Sequence, residues 1–159
     1  MTTKKVIWIY IDGSCIPQHD IIRRRAGIGV SLGLNHRLNV SEALPGEKQT
    51  SARAELAAAV RALQIWSSHF PLHELHLYSD NSYALLEVNR VLRPKDHKKI
   101  NGERDNGDYI RRLQALLNVR KAEVYTHKVK AHSDDVMNDD ADALAKAAAR
   151  KALNNSQNK

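Results

Sequence analysis

The chain has 159 residues, 42% of them hydrophobic and 27% charged, with one cysteine and a formal net charge of +7. That is one domain of ordinary composition, large enough to bury a core, and it excludes a chain disordered throughout. The lone Cys15 excludes an internal disulfide framework and fits a reducing, intracellular setting. Apolar runs fall far short of the roughly 20 residues that span a bilayer, and the N-terminal segment lacks a secretory-signal pattern, so no membrane is expected.

Val6–Ile11 (VIWIYI) is a continuous β-prone run, as expected of a strand buried on both faces, and it closes at Asp12-Gly13-Ser14. Residues 26–34 and 35–43 read as two further strands joined by a short connection at Asn35-His36. Residues 52–67 form the strongest helix, with Leu56, Ala59, Val60, Leu63 and Trp66 along one face and Thr50 or Ser51 as its cap. Glu74–Ser79 alternates as a strand; residues 81–92 read as a helix stopped before Pro94; residues 94–107 are loop-like. A helix over 108–118, a strand over 122–130 and an alanine-rich helix over 138–152, capped by Asn138, complete the chain. Residues 1–153 are expected to form the domain and 154–159 a frayed polar tail. The order β-β-β-α-β-α-α-β-α predicts an α/β fold, a mixed sheet with helices on its faces.

Charge is unevenly placed. Residues 93–130 hold eleven basic residues against five acidic, and 146–159 hold four basic and no acidic. A basic surface favours a polyanionic partner, although a solvated face has the same composition. Four acids stand at element ends that such a sheet draws together: Asp12 and Asp80 at strand ends, Glu55 and Asp142 in the first turns of helices. Taken singly, each is explained by a turn, a cap or the helix dipole, as are Asp139 and Asp140. Taken jointly, converging carboxylates need cations between them, and hard oxygen ligands suit Mg²⁺ or Mn²⁺. A pair of such ions clamps the attacking and leaving oxygens of a phosphoryl displacement.

The segments IYIDGSC (9–15), AGIGV (26–30), NVSE (39–42), Gln49-Thr50, RAEL (53–56), LYSDNSY (77–83), VKAH (129–132) and NDDADALA (138–145) follow one another over residues 5–150. In this order they resemble the type 1 ribonuclease H family, in wording nearer its cellular eukaryotic branch; reverse-transcriptase RNase H domains share the pattern. The resemblance implies a five-stranded RNase H-like fold and hydrolysis of the RNA strand of RNA–DNA hybrids with two Mg²⁺ ions, which Mn²⁺ can replace. It implies that Asp12 bridges both ions, that Glu55 and Asp80 help hold them, and that Asp142 completes the second position. It gives His132 a role in proton handling or product release. Lys48, Thr50 and Asn106 match positions that bind a DNA-strand phosphate. Ser51 and Ala52 stand where the family reads the minor groove with two amides, and Ala52 has no polar side chain to do so. Lys95, Lys98 and Lys99 lie in the segment matching a basic protrusion that grips DNA. The protrusion's usual tryptophans are absent; Trp8 and Trp66 both read as core residues. Ala131 and Ser133-Asp134-Asp135 replace the usual loop glycines. Cys15 reads as a packing residue, and His73, His76, His97 and His127 show no metal-ligand spacing. A monomer is expected. Two other readings compete: a non-catalytic binding domain on the same fold, which would lose one or more acids, and a strand-transferase relative, which would lack Glu55.

Overall fold

The computed structural model, which describes residues 3–158, places the run Val6–Ile11 in strand β1 (Val6–Ile16) at the centre of a five-stranded sheet. Strands β2 (Arg25–Ser31) and β3 (Val40–Ala43) extend the sheet antiparallel on one side of β1. On the other side β4 (Glu74–Ser79) and β5 (Val124–Lys128) run parallel to it, giving the order β3-β2-β1-β4-β5. The helices are α1 (Ser51–His69), α2 (Ser82–Leu92), α3 (Gly107–Asn118) and α4 (Val136–Gln157), with a 3₁₀ turn at Pro94–Asp96. The expected element order and mixed sheet are both present.

Alternation along the strands divides the two faces. Ile9, Ile11 and Cys15 of β1 and Ala26, Ile28 and Val30 of β2 join α1, α2 and α3 in one core. The predicted stripe Leu56, Ala59, Val60, Leu63 and Trp66 is buried in that core, and the Trp66 indole donates to the His73 carbonyl at 2.8 Å. Gly27 and Gly29 point the other way, against α4. A Cβ on Gly29 would lie 2.1 Å from the Ala141 carbonyl oxygen, and one on Gly27 2.2 Å from that of Ala145. Glycine in the strand and alanine in the helix thus let α4 approach the sheet backbone closely. Beyond α4, on β1, β4 and β5, Tyr10, Tyr78 and His127 stack at centroid spacings of 4.4 and 4.5 Å.

Several boundaries depart from the expectation for physical reasons. Asp12-Gly13-Ser14 is not a turn: β1 continues to Ile16, paired with β2 alone. The β2–β3 connection is longer than Asn35-His36, because the Asn39 side chain accepts from Leu32 N and donates to the Gly33 carbonyl, both at 2.7 Å. Helix α4 starts earlier and is capped by Asp135, which accepts from the backbone N–H groups of Met137 (3.1 Å) and Asn138 (3.2 Å). Asn138 is therefore a buried residue of the first turn and not the cap. The same helix runs on to Gln157, so residues 154–157 are helical rather than frayed. Trp8 is 53% exposed, outside the core expected for it. His76 and His127, unremarkable in sequence, meet across β4 and β5 with Nδ1 and Nε2 2.7 Å apart.

Close packing of α4 against β2 gives the first prediction. Gly29→Ala should lower the unfolding free energy by about 3 kcal/mol, the upper end of ordinary overpacking costs. Urea denaturation measures it, and a loss below about 1 kcal/mol would mean that α4 slides to accommodate a methyl group.

Candidate active site

The candidate site forms where the two halves of the sheet part company. Pairing between β1 and β4 stops at Ile11–Ser79, so Asp12 and Asp80 come next on neighbouring strands at the same level. Gly13 lets the start of α1 press onto β1: a Cβ there would sit 2.5 Å from Glu55 N. That contact delivers Glu55 beside Asp12. Gly29, the cross-strand partner of Asp12, admits Ala141, and the next residue of α4 is Asp142. Thr50 fixes where α1 begins, its hydroxyl accepting from Arg53 N at 3.1 Å.

Carboxylate oxygens of Asp12, Glu55 and Asp80 all lie within 4.8 Å of one another. Asp12 and Glu55 are buried and Asp80 half-buried. Asp142 stands outside this group of three, on α4, near enough to Asp12 for each carboxyl to shift the other. Burial pushes the Asp12 carboxyl up to about 7; the neighbouring Asp80 and Asp142 add to this, while the neighbouring Glu55 opposes it. Burial, then the neighbouring Asp12, raise Glu55 well above the usual carboxylate range. Asp142 goes the other way. Burial works against its charge, but the Lys146 ammonium 2.9 Å away, with the neighbouring Asp12, holds its carboxyl low.

This donor set fits a hard divalent cation. Its ligand atoms are carboxylate oxygens, and one of them, Glu55 Oε2, is buried with no hydrogen-bond partner. Two buried acids pushed towards neutrality, first by burial and then by neighbouring carboxylates, are what a cation between them would relieve.

The other residues singled out in the sequence fall into separate places. His132 sits exposed on the loop before α4 in a left-handed conformation (φ 56°), and its charge acts on Asp142. Lys48 and Asn106 line a cleft of about 570 Å³ together with Arg53, Arg104 and Arg111. Asn106 is nearly buried, donating to the Tyr83 hydroxyl at 3.2 Å and accepting from Arg53 at 3.4 Å. Arg53 is fixed by Asp108, at 2.9 and 2.6 Å, and by the Tyr109 ring; the Asp108 carboxyl is held far below its usual range by that guanidinium. Thr50 and Ser51 stand at the start of α1. Lys95, Lys98 and Lys99 are exposed on the segment after α2, away from the acids. Buried Glu87 anchors this segment through Arg104 and Arg90, and Arg90 donates to the Lys98 carbonyl at 3.1 Å. Cys15 is buried against the Gln49 carbonyl, as a packing residue should be.

Sequence reasoning missed Asn138 and Lys146 at the acids, and Arg53 and Arg111 at the cleft. Position offered a signal for the first two: both lie four residues from Asp142, on its face of α4. Arg111 and Arg53 are brought to the cleft by tertiary packing alone.

A β3-β2-β1-β4-β5 mixed sheet with acids gathered at the end of its central strands defines the RNase H-like fold class. The family model described as RNase H matches residues 4–150. A Ribonuclease H of Schizosaccharomyces pombe is 34% identical over 145 residues, covering 89% of this chain and 52% of that protein. A Ribonuclease H of Chlorobium chlorochromatii is 33% identical over 154 residues, covering 93% and 98%. The crystal structure of LC11-RNase H1 in complex with an RNA/DNA hybrid superposes with a TM-score of 0.65 at 22% identity, covering 92% of this chain and 99% of that one. The chain belongs to the RNase H family. It spans about half the length of the eukaryotic relatives it matches. Among the described residues, no helix is long and apolar enough to cross a membrane.

Raised carboxyls set a pH dependence for the metal-free protein. Folding disfavours the charged forms of Asp12 and Glu55, so stability is full below about pH 4 and falls as pH rises towards about 7. In chelator at pH 8, Asp12→Asn should therefore exceed the wild type in unfolding free energy by about 2–4 kcal/mol, an advantage gone at pH 4. Denaturant titrations at the two pH values measure it; an equal difference at both would refute the repulsion argument.

Proposed function

We propose that this chain is a Mg²⁺-dependent ribonuclease H that hydrolyses the RNA strand of RNA–DNA hybrids. The observation that carries the reading is the meeting of Asp12, Glu55 and Asp80 within 4.8 Å, with Asp142 near Asp12 on α4. Membership of the RNase H family supports it, as does the likeness to a relative solved with an RNA/DNA hybrid. All four acids come from one chain, in keeping with the expected monomer.

When bound, two Mg²⁺ ions, or Mn²⁺ in their place, would activate a water and neutralise the departing oxyanion. Asp12 neighbours the other three acids, which supports the reading that it would help hold both ions. Glu55 and Asp80 flank it, and Asp142 faces it from α4, kept ionised by Lys146. His132, exposed beside Asp142, handles protons or helps products leave.

Substrate is gripped away from the acids. The cleft of Lys48, Asn106, Arg53 and Arg111, which Glu103, Asp105 and Asp108 also line, suits a phosphate of the DNA strand: Arg53 is held in place by Asp108 and Tyr109 before any ligand arrives. Lys95, Lys98 and Lys99 add a second phosphate contact on an anchored segment. Ser51, at the start of α1, has the hydroxyl needed to meet a 2′-hydroxyl in the minor groove.

The test is cleavage of a matched hybrid, RNA duplex and DNA duplex, with Mg²⁺ and with Mn²⁺. Only the hybrid should be cut, and Asp12→Asn should lose at least about a thousandfold in rate while still binding hybrid. Substantial activity in Asp12→Asn, or equal cutting of duplex DNA, would refute the assignment. Replacing Lys95, Lys98 and Lys99 together by Ala should flatten the dependence of log affinity on log salt by about 2–3. An unchanged salt slope would remove these lysines from the interface.

A further inference from the structure

Asn138 is buried to 2% exposure on the first turn of α4, yet only half of its amide has a partner. Its Nδ2 donates to Asp80 Oδ2 at 3.4 Å, while its Oδ1 is buried with no hydrogen-bond partner. Local structure does not need the side chain. The helix is already capped by Asp135, which also accepts from the Tyr10 hydroxyl at 3.3 Å. An unpaired buried carbonyl opposes folding, and a leucine of similar size would not carry that cost. A second orphan, Glu55 Oε2, belongs to the acid group that contains Asn138's partner Asp80.

We propose that Asn138 is a positioning residue for the cation site. Its amide N–H occupies Asp80 Oδ2 and leaves the other oxygen of that carboxylate to a divalent ion. Its Oδ1 accepts a hydrogen bond from water carried by the ion. An amide is the suitable group because it donates to a carboxylate and accepts from a water without adding charge. A carboxylate in its place would repel Asp80; a hydrocarbon would leave Asp80 free to turn. Asn138 lies one helical turn before Asp142, so a single element sets both. This inference rests on the metal-dependent reading above.

The experiment uses the full chain and Mg²⁺ or Mn²⁺ alone as probe. Thermal unfolding is followed in EDTA and in excess metal, with metal affinity from calorimetry, for the wild type, Asn138→Leu and Asn138→Asp. The leucine variant should melt in EDTA at or above the wild-type temperature. Its metal-induced rise in Tm should be less than half the wild-type rise, and its metal Kd higher by about tenfold. The metal concentration for half-maximal hybrid cleavage should rise in step, with the KM for hybrid unchanged. The aspartate variant should melt lower in EDTA, from added repulsion, and show a metal-induced rise larger than wild type. A merely structural side chain would move both baselines together, so an equal metal-induced rise in all three proteins overturns the proposal. If Asn138→Leu does not fold, the same comparison on Asn138→Asp decides. A wild type that neither gains stability from metal nor cleaves hybrid defeats the ribonuclease reading itself; a wild type that does both, beside indistinguishable variants, defeats only the role of Asn138.

Discussion

Asp12, Glu55 and Asp80 repel one another across less than 5 Å of largely dehydrated space, and much of the surrounding architecture exists to hold them there. Gly13 donates its backbone N–H to Asp12 Oδ1 at 2.9 Å. The first turn of α1 is locked by Thr50 and cannot back away from β1 without opening the core around Leu56 and Ala57. On the far side, Lys146 keeps a compensating positive charge on Asp142. Repulsion that would scatter these groups on a flexible surface is contained by a rigid backbone on both faces of one strand.

The same requirement explains the uneven sheet. A strand that ended at Asp12 would leave the acid on a loop. Continuing β1 to Ile16 against β2 keeps it within the ladder, while the shorter β4 exposes that level of the sheet to Asp80. The parallel half thus opens the site and the antiparallel half stiffens it. Alanines on α4 and glycines on β2 complete the arrangement, since a bulkier contact would lift Asp142 away from Asp12.

Much of this could be read from sequence because period and composition act locally. The stripe on α1, the buried run of β1 and the alternation of β4 each fix an element without help from elsewhere. The four acids were visible as residues at element ends, and the family motifs tied them together. What stayed hidden depends on distant partners. Asp-Gly-Ser in β1 looks like a turn until β2 is paired alongside and α1 shows why the glycine is there. Asn138 looks like a cap until Asp135 takes that task. Trp8 reads as core because its run is apolar, yet its face of the sheet lies beyond α4. Asp140 was assigned to the helix start alone, and only folding brings Ser31 to it, with the hydroxyl 2.6 Å away.

The basic segment leaves the end of α2 and is tied back to that helix by Arg90 at the Lys98 carbonyl and by buried Glu87 at Arg104. Between those anchors the lysines contribute nothing to the core, since all three are exposed. Their number and spacing are therefore free to drift while the domain stays equally stable. Within such a scaffold, the density of positive charge offered to solvent becomes an adjustable trait, inherited separately from the cluster of acids.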